Sequence, residues 1–283
     1  SNNTTGDYSV AVGFDCMAGM TAGNANTAVG YQALKTEDGH SNNTAIGYRA
    51  LKTLNAGANG FTTAVGYDAG LSITTGINNT IIGAVAGDAL SDADFNVAVG
   101  VGALGADTKG NKNTAIGHDA LGVQNFTSST DAQNTAVGYN AGAAVTTGTS
   151  NSFLGLSSGQ ANTSGGANTY IGVEAGYANQ TGSSNTFIGR SSGVAVAGSS
   201  SSNTFIGRSS GSQITSGGSN TILGRYQGNS GGLDIRALSN RIVLSDGDGT
   251  IRLYIDNVGN ALFGTITNGT TAVGTVIRAD GEV

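Results

Sequence analysis

Residues 43–51 read Asn43-Thr44-Ala45-Ile46-Gly47-Tyr48-Arg49-Ala50-Leu51, and versions of the stretch from Asn43 to Gly47 recur thirteen times in a chain of 283 residues. The closing glycines are Gly13, Gly30, Gly47, Gly66, Gly83, Gly100, Gly117, Gly138, Gly155, Gly172, Gly189, Gly207 and Gly224, and nine of the twelve intervals are 17 residues, the others 18, 19 and 21. A fixed period of this length marks a solenoid, in which each repeat supplies one layer and no layer is stable alone. The residue before the glycine is always Val, Ile or Leu; Thr stands three before it in ten copies and Asn four before it in eleven. Strand side chains alternate with period 2, so Thr and the aliphatic residue share one face and Asn takes the other, where stacked amides can donate and accept between layers. An Ala-Leu, Ala-Gly or Ser-Gly segment follows, then five or six polar residues. Each layer is therefore expected to run strand, glycine turn, short strand, loop.

Composition supports this class. The chain has 48 glycines, no proline, no tryptophan and 11% charged residues, unlike an ordinary enzyme. Because the glycines are periodic, they read as turn positions needing φ > 0 rather than as disorder, and the lack of proline leaves every backbone N–H free for ladder bonding. A net charge of −6 argues against nucleic acid as a partner, since phosphate binding needs a dense basic face. The single Cys16 excludes an intrachain disulfide framework and reads as a small buried apolar residue. No apolar run approaches the ~18 residues of a membrane span, and SNNTTGDYSV at the start lacks the basic and apolar regions of a secretory signal, so the chain reads as a piece of something longer.

Two positions vary in size. Two before the glycine, seven copies carry Ala and six carry Ile81, Phe153, Tyr170, Phe187, Phe205 or Ile222; the residue after the glycine is usually aromatic where Ala precedes and is Leu156, Val173, Arg190 or Arg208 where Phe or Tyr does. Volume-conserving exchange of this kind suggests that the two positions share one packing layer, although Val101 after Ala98 fits poorly. Thirteen layers at about 4.8 Å would stack to roughly 60 Å. Such a thin coil would leave one apolar stripe wet along its length, which three copies packed about an axis would bury; a homotrimer is expected. Beyond Gly224 the pattern changes to two alternating strands, Arg241 to Ser245 and Thr250 to Asp256, around the Asp246-Gly247-Asp248-Gly249 turn. The expected organisation is a repeat domain over 1–228 and a β-hairpin capping region over 229–283, with the late echo Thr270 to Gly274 ambiguous.

The copies N-T-A-I-G-Y-R-A-L and N-T-F-I-G-R-S-S-G resemble those of bacteriophage tail-fibre proteins and, more distantly, the N-S-x-A-I-G repeats of trimeric autotransporter (YadA-like) adhesin heads. The similarity covers about residues 9 to 228, and SNRIVLSDGDGTIRLYIDNVGN is similar to distal tail-fibre segments. The resemblance implies an all-β fold, a left-handed, homotrimeric parallel β-roll of about 13 coils with a hairpin cap. It also implies a structural and receptor-binding role in a virion, with other fibre or virion proteins and a bacterial surface glycan or protein receptor as partners. A bacterial surface adhesin head is the alternative, and a polysaccharide depolymerase or an ice-binding solenoid follow behind. The 17-residue period is longer than the adhesin repeat.

Candidate sites are few. Gly100, Gly102 and Gly105 spell G-x-G-x-x-G, but Gly100 is the periodic glycine and no helical pattern follows. The DGDG turn has too few carboxylates for a calcium cage. His40 and His118 are the only histidines and Glu37, Glu174 and Glu282 the only glutamates, and Asp92 with Asp94 reads as an acidic loop; no catalytic, cofactor or metal residues are assigned and no enzyme activity is expected. Possible surface contacts are Tyr31, Tyr48 and Tyr67, whose register could present a sugar-stacking stripe, and Asn55, Asn59, Asn125 and Phe126 in the two long loops, 51–62 and 121–133, where insertions project from a repeat fold. Arg190, Arg208 and Arg225 share one register position and form a possible anion site.

Overall fold

The computed structural model describes residues 7–267, 271–273 and 276–279. Among these the fold is all-β, a parallel β-solenoid with a period of about 17 residues, and it contains no helix. The chain divides into two compact units, Ser1–Thr149 and Ser150–Val283.

In the first unit eight three-residue strands pair in parallel and in register: Val10–Val12, Thr27–Val29, Thr44–Ile46, Thr63–Val65, Thr80–Ile82, Val97–Val99, Thr114–Ile116 and Thr135–Val137. Thr44 faces Thr63 and Ile46 faces Val65, so each repeat lies on its own equivalent in the next. In the second unit Ser152–Leu154, Thr169–Ile171, Thr186–Ile188, Thr204–Ile206 and Thr221–Leu223 pair in the same way. The strand Ile242–Ser245 continues this ladder in parallel with Thr221–Leu223 and then turns antiparallel with Ile251–Ile255, which pairs with Ala261–Phe263. The expected hairpin is present, but its first arm is also one more coil layer. The late echo behaves differently from a repeat: Thr271–Val273 pairs antiparallel with Thr265–Thr267, while Thr270 and Gly274 lie outside the described residues.

The periodic glycine is required twice over. At Gly30 φ is +139, a region that a side chain does not enter, and a Cβ there would run into the carbonyl oxygen of Gly47 in the next coil. After the glycine the structure departs from the expected short strand. The residues two and four after it are left-handed, as in Gln32 (φ 54) and Leu34 (φ 49), and a third left-handed residue, such as Asn42 (φ 67), precedes each Asn. These bends turn the chain around the coil while its amides still bond from layer to layer, for example Arg49 N–H to Tyr31 O at 2.8 Å and Leu34 N–H to Ala50 O at 3.0 Å. Val85 at φ 49 shows how strongly the stack enforces this path, since a β-branched residue disfavours it.

The core lies inside each coil. The residue two before the glycine is buried (Ala28, Ala45, Ile81, Phe153, Tyr170, Phe187), as are those three, four and seven after it (Ala33, Leu34, Leu54, Ile73, Leu90). Asn closes the coil: Asn168 Oδ1 accepts the backbone N–H of Asn185 at 3.0 Å, and its Nδ2 donates to Gly182 O at 2.9 Å. Asn96 repeats the arrangement toward Asn113 N and Gly110 O. The expected amide ladder exists, and its main partners are backbone groups of the next layer.

The shared packing layer is a correction. The residue two before the glycine points inward and the one after it points outward; Ala45 is buried and Tyr48 is exposed. Their anticorrelation therefore has no packing cause. In eight coils the interior position is compensated instead by the residue four after the glycine: Ala28, Ala45, Ala98 and Ala115 go with Leu34, Leu51, Leu104 and Leu121, whereas Phe153, Tyr170, Phe187 and Phe205 go with Gly159, Gly176, Gly193 and Gly211; Ala64 with Gly70 and Ala136 with Gly142 depart from this exchange.

Candidate functional site

The alternation of the strand sends Thr and the invariant aliphatic residue outward. Within the first unit Ile46, Ile82 and Ile116 are 38–39% exposed and Val12 56%. Within the second, Leu154, Ile171, Ile206 and Leu223 are likewise exposed. Each unit so presents a column of aliphatic side chains, one per coil, flanked by partly exposed Thr. A single chain gives this column no cover.

Beside it in the first unit stands an aromatic ladder. Phe14, Tyr31, Tyr48 and Tyr67 stack with centroids 5.7, 5.2 and 5.2 Å apart and planes within 12°. His118 and Tyr139 repeat the pattern at 5.3 Å. The rings spend their faces on one another, so Tyr31 and Tyr48 offer an edge and a hydroxyl rather than a stacking platform for a sugar. Arg49 lies 5.0 Å over the Tyr48 ring and forms a bidentate pair with the buried Asp68. In the second unit the aromatic ladder moves inside: Phe153, Tyr170, Phe187 and Phe205 stack 4.9–5.3 Å apart and are fully buried.

The two long loops differ. Asn55, Asn59 and Phe61 of the first are exposed. In the second, Asn125 is exposed but Phe126 is 7% exposed, its N–H donating to Asp107 Oδ1 at 3.1 Å, and Gly110–Asn111 pairs in parallel with Thr130–Asp131. Phe126 is thus an anchor that folds the insertion onto the coil, not a surface contact.

Arg190 and Arg208 are exposed, Arg225 is half-buried, and none of the three forms an ion pair among the described residues. Asp246 of the DGDG turn spends its carboxylate internally, accepting from Arg252, Thr250 N and Asp248 N, and the Arg252 guanidinium above all holds its pKa below the ordinary carboxylate value. Asp94 likewise accepts from Ile77 N–H at 2.8 Å, and Asp92 pairs with Lys109 at 3.4 Å.

One cluster was not assigned from the sequence. Glu37, seven residues after Gly30, is fully buried, and its Oε1 accepts from His40 N at 3.0 Å and lies 2.6 Å from His40 Nδ1. His40 Nδ1 also lies 3.7 Å from Asp38 Oδ1. The signal was the E-D-G-H run at 37–40, which places three potential ligands within one tight turn.

No family model, no curated protein and no solved structure matches the chain. No helix among the described residues is long and apolar enough to cross a membrane.

Proposed function

We propose that the chain is a structural and receptor-binding segment of a bacteriophage tail fibre, working as a homotrimer in the virion. The observation that carries this reading is the outward aliphatic column: a residue type admitted without exception at thirteen repeats is left more than a third exposed at Ile46, Ile82, Ile206 and Leu223. Exposed apolar surface repeated in every layer is the mark of an interface, and copies of the same coil present a matching column at the same spacing. The likeness of the repeats to tail-fibre sequences supports the viral setting. The first long loop, with Asn55, Asn59 and Phe61 exposed, is the surface assigned to the bacterial receptor, and three copies would raise its avidity.

Light scattering of the intact chain tests the reading. The expected mass is three times 27.8 kDa; a single-chain mass at micromolar concentration overturns it. Labelled chain is further expected to bind whole bacteria of a susceptible strain, with binding lost when Asn55, Asn59 and Phe61 are all replaced by Ala.

A further inference from the structure

The position seven after the periodic glycine is an interior one, filled by Met20, Leu54, Ile73 and Leu90 in the first unit. Two carboxylates intrude on this column, and they are treated differently. Asp107 has donors for both oxygens: Gly110 N and Phe126 N at 3.1 Å on Oδ1, and Gln124 Nε2 at 2.6 Å on Oδ2. Glu37 has donors for Oε1 alone, and its Oε2 is buried with no hydrogen-bond partner. Burying a carboxylate oxygen without a donor is costly, and a cation that meets the carboxylate offsets that cost.

The surroundings supply ligands rather than donors. One ligand atom each from Glu37, Asp38 and His40 falls within 4.8 Å of the others. The turn that carries them is held from the preceding coil: Asp38 O accepts from Thr21 N at 2.7 Å and Thr21 Oγ1 at 2.6 Å, and His40 O accepts from Asn26 Nδ2 at 2.8 Å. Glu37 closes the inner side, while half-buried His40 and exposed Asp38 leave the outer side open to water.

We propose that Glu37, Asp38 and His40 form a binding site for a divalent transition cation, zinc by its chemistry. Two carboxylate oxygens and one imidazole nitrogen leave the fourth tetrahedral position to water. Ligand atoms about 2.0 Å from a tetrahedral zinc stand about 3.3 Å apart. The present Nδ1 separations of 2.6 Å to Glu37 Oε1 and 3.7 Å to Asp38 Oδ1 lie on either side of that value, and the three ligand atoms lie within 4.8 Å of one another, so binding draws the side chains together. Coordination through Nδ1 requires the neutral imidazole tautomer with its proton on Nε2, and the cation then offsets the buried carboxylate.

The test is titration of the intact chain, freed of metal by chelation, with zinc chloride at neutral pH, read by calorimetry, and with cobalt(II), read by visible absorption. One site per chain is expected. Asp38→Asn and His40→Gln, both at solvent-reaching positions and so compatible with folding, should each weaken zinc at least tenfold and remove the cobalt band. His118→Gln, which alters the other His–Asp pair (His118 Nδ1 to Asp119 Oδ2, 3.0 Å), should leave both unchanged. Absence of saturable binding, or binding kept in His40→Gln and lost in His118→Gln, overturns the proposal.

Discussion

A Cβ built on Gly159 would fall 2.6 Å from Cε1 of Phe153, a distance real side chains do not tolerate. The ring fills the space that Leu34 or Leu51 occupies in other coils: the interior takes Ala with Leu in those coils and an aromatic ring with Gly in these, while Ala64 with Gly70 and Ala136 with Gly142 carry neither large residue at the two positions. The same contact recurs between Gly193 and Phe187 Cδ2 at 2.7 Å.

This pairing predicts a strong coupling. Phe187→Ala alone opens a cavity and should cost about 3–5 kcal/mol. Gly193→Leu alone should also destabilise, by steric conflict with the ring. The double variant recreates the Ala-Leu arrangement of Ala45 and Leu51, and Leu51 already adopts φ 48 where Gly193 has φ +58. It should recover most of the loss. Urea unfolding of the four proteins checks this; additive effects would refute the pairing.

The Asn clamp gives a second expectation. Asn168→Ala removes the acceptor of Asn185 N–H and the donor to Gly182 O inside a buried layer. Each stranded group costs about 1–3 kcal/mol, so the loss should exceed that of a surface Asn→Ala such as Asn59 several-fold. Hydrogen exchange should show the Asn185 amide losing protection. An unchanged exchange rate at Asn185 would contradict the clamp.

The period, the strand positions and the division of faces were legible in the sequence, because a three-residue strand between Asn and Gly leaves only one parity. The hairpin at Ile242–Ser245 and Ile251–Ile255 was legible to within a residue from its turn chemistry. The left-handed bends at Gln32, Leu34 and Val85 were not, since no residue type there demands φ > 0 and the neighbouring coils impose it. Nor was the Phe–Gly pairing: the size exchange most visible in the sequence joins residues three apart around the glycine, whereas the partner across the coil interior is six residues away. Phe126 misled for a related reason, as an insertion with a large apolar residue folds back wherever a groove and an acceptor such as Asp107 await it. Glu37 and His40 could be counted in the sequence, but the burial that makes the pair unusual is a property of the layer.

Tyr170 stacks between Phe153 and Phe187, and its hydroxyl is buried beside the side chain of Asn185. Burial pushes its pKa well above that of an ordinary phenol. The folded-state pKa is raised, so this contribution to stability is intact below the unfolded value of about 10 and is lost as pH rises beyond it. Tyr170→Phe should keep the ring stack and remove the group whose ionisation destabilises the fold at high pH, so the variant should lose less stability than the parent above about pH 10. In a spectrophotometric titration the curves of the two proteins should coincide below about pH 10 and separate only in the late phase that accompanies unfolding. Early separation would show that the Tyr170 hydroxyl reaches water.

The outward aliphatic column separates folding from assembly. Ile82 sits in register between Val65 and Val99 and is 39% exposed, so Ile82→Asp places a charge on the coil's outer wall without touching Ile81 in the interior. A charge buried in a subunit interface without a partner costs several kcal/mol, whereas on a wetted face it costs little. The variant should therefore keep its β-sheet circular dichroism and fall to a mass of 27.8 kDa by light scattering. Thr80→Asp, on the same strand and face, should weaken assembly in the same sense. A variant that remains assembled with Asp at position 82 would show that copies meet through some other surface, and a variant that fails to fold would show that the column belongs to the core of a single chain.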